Sequence, residues 1–338
     1  MDVNERLSLI KNNVIDLIGG DELKEKIKSG KTINAYWGRA PTGSLHMGHA
    51  ISLSKIFDFN KAGIKSKILI ADIHAALDDQ KAPWDMIGKR TDFTKKCIEL
   101  ALPWKEKPEF VIGSSFQLLK DYQLDVLKMS TIITITRATR AASEVTRMKD
   151  PKVSELIYPI MQSLDEEYLK VDIQWGGVDQ RHIMALASDY LPKLGYKPRV
   201  EVMLPLITSL KGPGVKMSSS LPDTIIKVYD SEKSINDKIK NAYCPEGVTA
   251  DNPILQLSQR LIMPIKNKLV IERPDKYGGT IEFSNYDDLE KTYKNKKLHP
   301  MDLKNAVAKE LINIFSKARK YFEDHLDTLK ELGPQFMP

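Results

Sequence analysis

The stretch from residue 33 to residue 73 constrains this chain most. The apolar run Ile33 to Trp37, a turn, a helical pattern from about Leu45 to Ala62, Gly63 and the strand-like Lys67 to Ile73 follow one another directly. This is the pattern of a βαβ unit, whose helical crossover obliges the two strands to lie parallel. Further strands are expected at Phe110 to Ile112, Val171 to Trp175 and Val200 to Leu204, with helical patterns between them. The expected fold is α/β, a Rossmann-like and mostly parallel sheet covered on both faces.

Around that sheet the pattern is helical. Asn4 to Gly19 carries Leu7, Ile10, Val14 and Ile18 at helical spacing, and Asp21 to Gly30 predicts a short helix with a glycine stop. Thr131 to Glu144 is polar, basic and threonine-rich, and reads as an insertion rather than a core element. After Tyr229 helices dominate, at Asp230 to Ala242, Pro253 to Leu261 and Met301 to Leu332, interrupted by the glycine-bearing Tyr277 to Thr280. At 338 residues the chain is about twice a typical ~150-residue domain. An α/β domain over 1–228, with an insertion at about 112–157, and a mainly helical domain over 229–338 fit that length.

Composition narrows the class without choosing a function. Hydrophobic residues make up 42% and charged residues 28%, which excludes collagen-like, low-complexity and wholly disordered chains. The excess of 51 basic over 45 acidic residues, +6, suits a polyanionic partner and is also compatible with ordinary surface charge. Cys97 and Cys244 lie too far apart for a metal-ligand spacing or a disulfide framework, and read as reduced, buried thiols of a cytosolic protein. Met1 to Asn13 lacks the apolar core of a signal peptide, and no apolar run approaches ~18 residues, so no membrane span is expected.

Two strings carry chemistry. The turn after the first strand reads Gly38-Arg39-Ala40-Pro41-Thr42-Gly43-Ser44-Leu45-His46-Met47-Gly48-His49. It places His46 and His49 on one face of a helix's first turn, beyond the carboxyl end of a parallel strand, where unpaired N–H groups and the helix dipole favour phosphate. Gly48, lacking a side chain, lets a flat ring lie against the helix backbone. The second string is Lys216-Met217-Ser218-Ser219-Ser220, preceded by Lys211-Gly212-Pro213-Gly214. One ammonium with a run of hydroxyls can close over a triphosphate and follow charge onto departing pyrophosphate. Lys-Met-Ser-Ser arises by chance in a chain this long with a probability on the order of 10⁻³. No metal-ligand cluster or serine-histidine-aspartate arrangement competes with these strings.

Together the two strings resemble the signature pair of class I aminoacyl-tRNA synthetases. The resemblance sharpens at Tyr158-Pro159-Ile160-Met161-Gln162-Ser163-Leu164-Asp165, Gly176-Gly177-Val178-Asp179-Gln180-Arg181, Ala35-Tyr36-Trp37-Gly38, Ala71-Asp72-Ile73-His74-Ala75 and Leu298-His299-Pro300-Met301-Asp302. These are similar to the tyrosyl-tRNA synthetases of archaea and the eukaryotic cytosol, over about residues 30 to 320. The resemblance implies that Tyr36 and Asp165 hydrogen-bond the substrate phenol and that Tyr158, Gln162 and Gln180 hold its α-amino group. It implies that Asp179 binds the adenylate ribose, with Gly38, Gly48, Gly177 and Met217 lining the ATP and adenylate site. His46, His49, Lys216, Ser218 and Ser219 are the implied catalytic set, acting on ATP accompanied by Mg²⁺. If Asp165 sits on a helix it shares a face with Tyr158 and Gln162.

For tRNA, the resemblance implies that Arg181 reads the first base pair of the acceptor stem, with Asp302 binding and Tyr277 stacking on the anticodon guanine. Arg137, Arg140 and Arg147 are equally compatible with acceptor-end contacts and with a solvated basic face. A homodimer paired through the insertion is implied as well. The string departs from common relatives at Arg39-Ala40-Pro41. Three rival readings stand beside this one. A tryptophanyl-tRNA synthetase shares both strings, but an indole offers only a donor to Tyr36 and Asp165. A catalytically silent RNA-binding paralogue is disfavoured by His46, His49 and Lys216, and a small adenylyltransferase by the helical domain with Asp302.

Overall fold

The computed structural model describes residues 1–78, 81–143, 152–215, 217 and 221–338. Its central sheet has six strands, β1 (Asp16–Ile18), β2 (Ile33–Arg39), β3 (Ile64–Ile70), β4 (Glu109–Ile112), β5 (Ile173–Gly177) and β6 (Val200–Leu204), in the order β1-β6-β5-β2-β3-β4. β2 to β6 are parallel to their neighbours, and only β1 runs antiparallel, on the outer edge of β6. β2 pairs with β3 over its full length, from Ile33 opposite Ile64 to Arg39 opposite Ile70, as the βαβ pattern requires.

The strand order reverses between β2 and β5: the chain builds outward from β2 to β4 on one side and from β5 to β6 on the other. In an open parallel sheet this switch point leaves a crevice outside the carboxyl ends of the two strands, where ligands bind. Here those ends are Gly38–Arg39 and Gly176–Gly177.

The chain forms two compact units. The first comprises Met1–Thr42, Asp58–Lys95 and Glu106–Leu206, and the second Gly43–Phe57, Lys96–Lys105 and Ile207–Pro338. The first holds the whole six-stranded sheet. One of its apolar clusters joins Tyr122, Val126 and Met129 to Ile160, Met161 and Leu164, and to Ile183, Leu186 and Leu191. The second is mainly helical, with one antiparallel ribbon of β7 (Leu269–Ile271) and β8 (Ile281–Phe283).

Local chemistry explains where the structure departs from the sequence reading. The first helix ends at Lys11, not Gly19, because Asn13 adopts φ 56°, a left-handed conformation that no helix can continue and that asparagine tolerates. Beyond it Asp16–Ile18 pairs with β6 as a strand. β3 starts right after Gly63 and stops at Ile70, so Ile73 belongs to the helix Asp72–Leu77.

Within Thr131 to Glu144 lies the helix Ile135–Ala142, started by the Thr134 hydroxyl accepting from the Arg137 N–H. Its Ala138, Ala141 and Ala142 are buried, so this stretch does contribute to the core. The expected helix Pro253 to Leu261 becomes Pro253–Leu257, a π turn Ser258–Ile262 and Met263–Lys266. Pro264 has no N–H to offer the Arg260 carbonyl, and the Ser54 hydroxyl supplies that bond at 2.6 Å. Met301 to Leu332 is three helices, Pro300–Ile314, Ser316–Glu323 and Leu326–Leu332. Tyr277 to Thr280 connects the two strands of the ribbon.

Candidate active site

In the first unit, Tyr36 lies on β2 and is 1% exposed, its hydroxyl donating to the Gln162 carbonyl at a long 3.4 Å. Burial, together with Glu166, Asp165 and Glu201 nearby, pushes its phenol well above its ordinary pKa. The helix Val153–Tyr168 carries Tyr158, Gln162 and Asp165 at spacings of four and three, so the one-face arrangement read from the sequence is present.

Asp165 is 1% exposed, and its Oδ1 accepts from Gln117 Nε2 and from the Tyr122 hydroxyl, both at 2.8 Å. Its other oxygen, Oδ2, has no hydrogen-bond partner among the described residues and stands 3.9 Å from His74 Nε2. A buried carboxylate oxygen left open is costly unless a ligand satisfies it. Burial raises the Asp165 pKa to about 8 and lowers that of His74 to about 4, so near pH 7 both groups are neutral in the empty site, and a donor that hydrogen-bonds Oδ2 draws Asp165 towards its carboxylate form. The His74 ring meets Tyr158 edge to face at 4.6 Å. These contacts surround Asp165 with donors on one side and leave Oδ2 open to a hydrogen-bond donor.

Gln162 Nε2 donates to Gln180 Oε1 at 3.3 Å, joining two of the three residues expected at the α-amino group. Gln180 closes the single turn Val178–Gln180 that links β5 to the helix Arg181–Tyr190. A Cβ at Gly177 would stand 2.3 Å from Asp179 Oδ1, so glycine there lets the Asp179 carboxylate fold back over the strand end. At Gly38 a Cβ would meet only ordinary contacts, 3.7 Å from Tyr36 and 3.8 Å from Leu69.

In the second unit, His46 directly precedes the helix Met47–Lys61, and His49 lies in its first turn. Their rings are 3.9 Å apart. The His46 N–H donates to His49 Nδ1 and the Gly48 N–H to His46 Nδ1, both at 3.2 Å. Each Nδ1 is therefore an acceptor, which assigns the ring proton of each neutral histidine to Nε2. Both rings then present Nε2–H donors, the polarity a phosphate oxygen requires. The Met217 methyl lies over Gly48, 2.9 Å from where a Cβ would stand. Lys216, Ser218, Ser219 and Ser220 lie outside the described residues.

Of the RNA candidates, Arg181 opens its helix and is half exposed, with its Nε donating to Asp16 Oδ2 at 2.7 Å. That guanidinium holds the Asp16 carboxyl below its usual pKa. Tyr277 is 61% exposed, with the Lys276 ammonium 4.9 Å from its ring centre. Asp302 lies in the first turn of Pro300–Ile314, but the helix is capped by His299, whose Nδ1 accepts from the Met301 N–H at 3.1 Å. Arg137 pairs with Asp189 and lies over the Tyr190 ring, and Arg140 is exposed. Arg147 lies outside the described residues. His74, Gln117, Tyr122 and Asp16 escaped the sequence reading; only His74 fell inside a string that carried the resemblance.

The family model for class I tRNA synthetases (W and Y) matches residues 28–316, and the chain belongs to that family. Within it, the chain's relatives include tyrosine enzymes from archaea and from the eukaryotic cytoplasm. It is 42% identical to the tyrosine–tRNA ligase of Archaeoglobus fulgidus, over 95% of this chain and 98% of that one. It is 40% identical to the cytoplasmic tyrosine–tRNA ligase of Xenopus laevis, over 94% of this chain and 60% of that protein. The crystal structure of the Archaeoglobus fulgidus tyrosyl-tRNA synthetase complexed with L-tyrosine matches with a TM-score of 0.89, covering 94% of this chain and 99% of that one. The archaeal and eukaryotic cytosolic resemblance and the α/β fold read from the sequence are both borne out.

Proposed function

We propose that the chain is a tyrosine–tRNA ligase whose specificity rests on the open, buried Asp165 Oδ2. The tyrosine carboxylate attacks the α-phosphate of ATP, forming tyrosyl-adenylate and releasing pyrophosphate. A terminal ribose hydroxyl of tRNA(Tyr) then takes the tyrosyl group and AMP leaves. No covalent enzyme intermediate is needed, so the protein contributes orientation and charge stabilisation.

Asp165 Oδ2 accepts the substrate phenol, with Tyr36 beside it. Phenylalanine would leave that oxygen buried and unpaired, and rejection of ~10⁵ on this ground is the known behaviour of tyrosyl-tRNA synthetases. Tyr158, Gln162 and Gln180 hold the α-amino group, and Asp179 the ribose. His46 and His49 donate through Nε2 to phosphate oxygens as charge develops, and Lys216, Ser218 and Ser219 stabilise pyrophosphate. Gly38, Gly48, Gly177 and Met217 line the nucleotide's path. Mg²⁺ enters with ATP, carried by phosphates and water. Among the described residues no cluster of three or more His, Cys, Asp or Glu side chains could hold a metal ion.

Arg181 reads the acceptor stem, and Asp302 with Tyr277 the anticodon, from a helical domain that begins near 229. The insertion pairs two copies: Leu118, Leu119, Leu124, Leu127, Ile132 and Ile135 are all exposed apolar side chains within it. Among the described residues no helix is long and apolar enough to cross a membrane, and the relatives include a cytoplasmic enzyme, which supports a cytoplasmic location.

Tyrosine-, tryptophan- and phenylalanine-dependent ATP–pyrophosphate exchange, run on the native protein and on Asp165→Ala, tests this. Exchange with tyrosine alone, lost in the variant, is expected. Exchange with tryptophan would overturn the specificity, and exchange with none would overturn the enzymatic reading.

A further inference from the structure

Three buried donors of the second unit converge on one short segment near the carboxyl end. Ser44 Oγ, two residues before His46, donates to the Gln335 carbonyl at 2.7 Å. The Tyr229 hydroxyl donates to the Phe336 carbonyl at 2.8 Å. The Lys227 ammonium donates to the Gln335 carbonyl at 3.2 Å and also to the Met337 carbonyl. Ser44, Lys227 and Tyr229 are 0%, 4% and 2% exposed, and the Phe336 side chain is fully buried. Burial lowers the Lys227 pKa, so its ammonium depends on these carbonyls and on Asp230.

The same residues grip the histidine turn from the other side. The Met47 N–H donates to the Ile226 carbonyl at 2.8 Å and the Val228 N–H to the Leu45 carbonyl at 3.1 Å, forming a bridge that sets His46 opposite Lys227. Ile226–Tyr229 thus bonds to the histidine turn through its backbone and to the tail through its side chains, while Ser44 joins turn to tail directly. In the sequence, Ile226–Tyr229 also follows closely after Lys216–Ser220.

We propose that the segment Pro334–Met337 is a positioning element for His46 and His49, fixing the turn that aims their Nε2–H donors at ATP. This rests on the reading of those histidines as phosphate donors. Ser44, Lys227 and Tyr229 are positioning residues in this scheme. A tail that merely plugged the core with Phe336 would stabilise the fold without singling out ATP. A positioning tail governs the ATP-dependent step and leaves tyrosine binding, which rests on side chains of the other unit, unchanged.

The test uses full-length Ser44→Ala and Tyr229→Phe, each lacking one hydroxyl, and a chain ending at Gly333. It measures ATP kinetics in tyrosine-dependent pyrophosphate exchange and the tyrosine Kd by calorimetry. Each single variant is expected to lose about 3- to 10-fold in kcat/KM for ATP, the scale of one hydrogen bond, with the tyrosine Kd held within about twofold. In the shortened chain Ser44→Ala should add nothing further, because its partner is already gone. ATP kinetics like the native protein's, tyrosine affinity falling in parallel, or fully additive losses would each overturn the inference. Should the shortened chain not fold, the Ser44→Ala/Tyr229→Phe double variant decides between the same outcomes. A native protein without tyrosine-dependent exchange overturns the enzymatic reading instead.

Discussion

The Tyr122 hydroxyl donates to Asp165 Oδ1 at 2.8 Å, across 43 positions of sequence, and so decides which oxygen of that carboxylate remains open. With Gln117 on the same atom, Oδ1 is saturated, and Oδ2 is the oxygen without a hydrogen-bond partner among the described residues. Tyr122→Phe leaves Oδ1 held by Gln117 alone and lets the carboxylate turn. The expected result is a rise of about 3- to 10-fold in KM for tyrosine in pyrophosphate exchange, with KM for ATP unmoved. Equal effects on both substrates would show that Tyr122 serves the fold rather than the phenol.

Arg181 should matter only when RNA is present. Arg181→Ala is expected to reduce aminoacylation of tRNA(Tyr) by roughly 10- to 100-fold while pyrophosphate exchange stays native, because a bidentate arginine–guanine pair discriminates by that amount. A transcript with its first base pair inverted should lose the same factor with the native enzyme and little more with the variant.

The insertion's apolar face gives a test of assembly. Leu127 is 65% exposed and Ile135 75% exposed in the single chain, and both should be covered in a dimer. Sedimentation of the double variant Leu127→Asp/Ile135→Asp should give the 38.3 kDa monomer where the native protein sediments at twice that mass.

Stability should decline in alkaline solution. Glu166 on the helix Val153–Tyr168 and Glu201 on β6 are both fully buried; burial raises the pKa of Glu201 to about 8 against the lowering effect of a hydrogen bond with Glu166, and burial with the neighbouring Glu201 raises that of Glu166 well above its ordinary value. Between the ordinary carboxylate range and about 8 the folded protein keeps a proton that the unfolded chain has released. Unfolding free energy therefore falls as pH rises through that window. Glu201→Gln removes one titrating partner, and near pH 9 it should exceed the native protein in urea unfolding by ~1 kcal/mol or more. A variant less stable than the native protein at that pH would count against a buried Glu201 that titrates at the protein's expense.

What the sequence disclosed and what it withheld follow from distance along the chain. Tyr158, Gln162 and Asp165 lie within eight residues of one helix, and helical spacing alone places them on one face. His46, Gly48 and His49 are likewise local, and the strand–turn–helix pattern fixes their setting. His74, Gln117 and Tyr122 reach Asp165 from three other helices, and no spacing encodes that meeting. β1 was hidden because Leu7, Ile10, Val14 and Ile18 keep helical register straight through Asn13, where a single left-handed residue ends the helix. The ribbon of β7 and β8 was hidden because three-residue strands are too short to show alternation.

Ser44 and Gln335 are separated by 291 positions, so their hydrogen bond cannot form until Gln335 has been synthesised. All six strands of the first unit's sheet precede it, the last of them ending at Leu204. During synthesis the sheet can therefore assemble well before the turn that carries His46 is tied to Pro334–Met337.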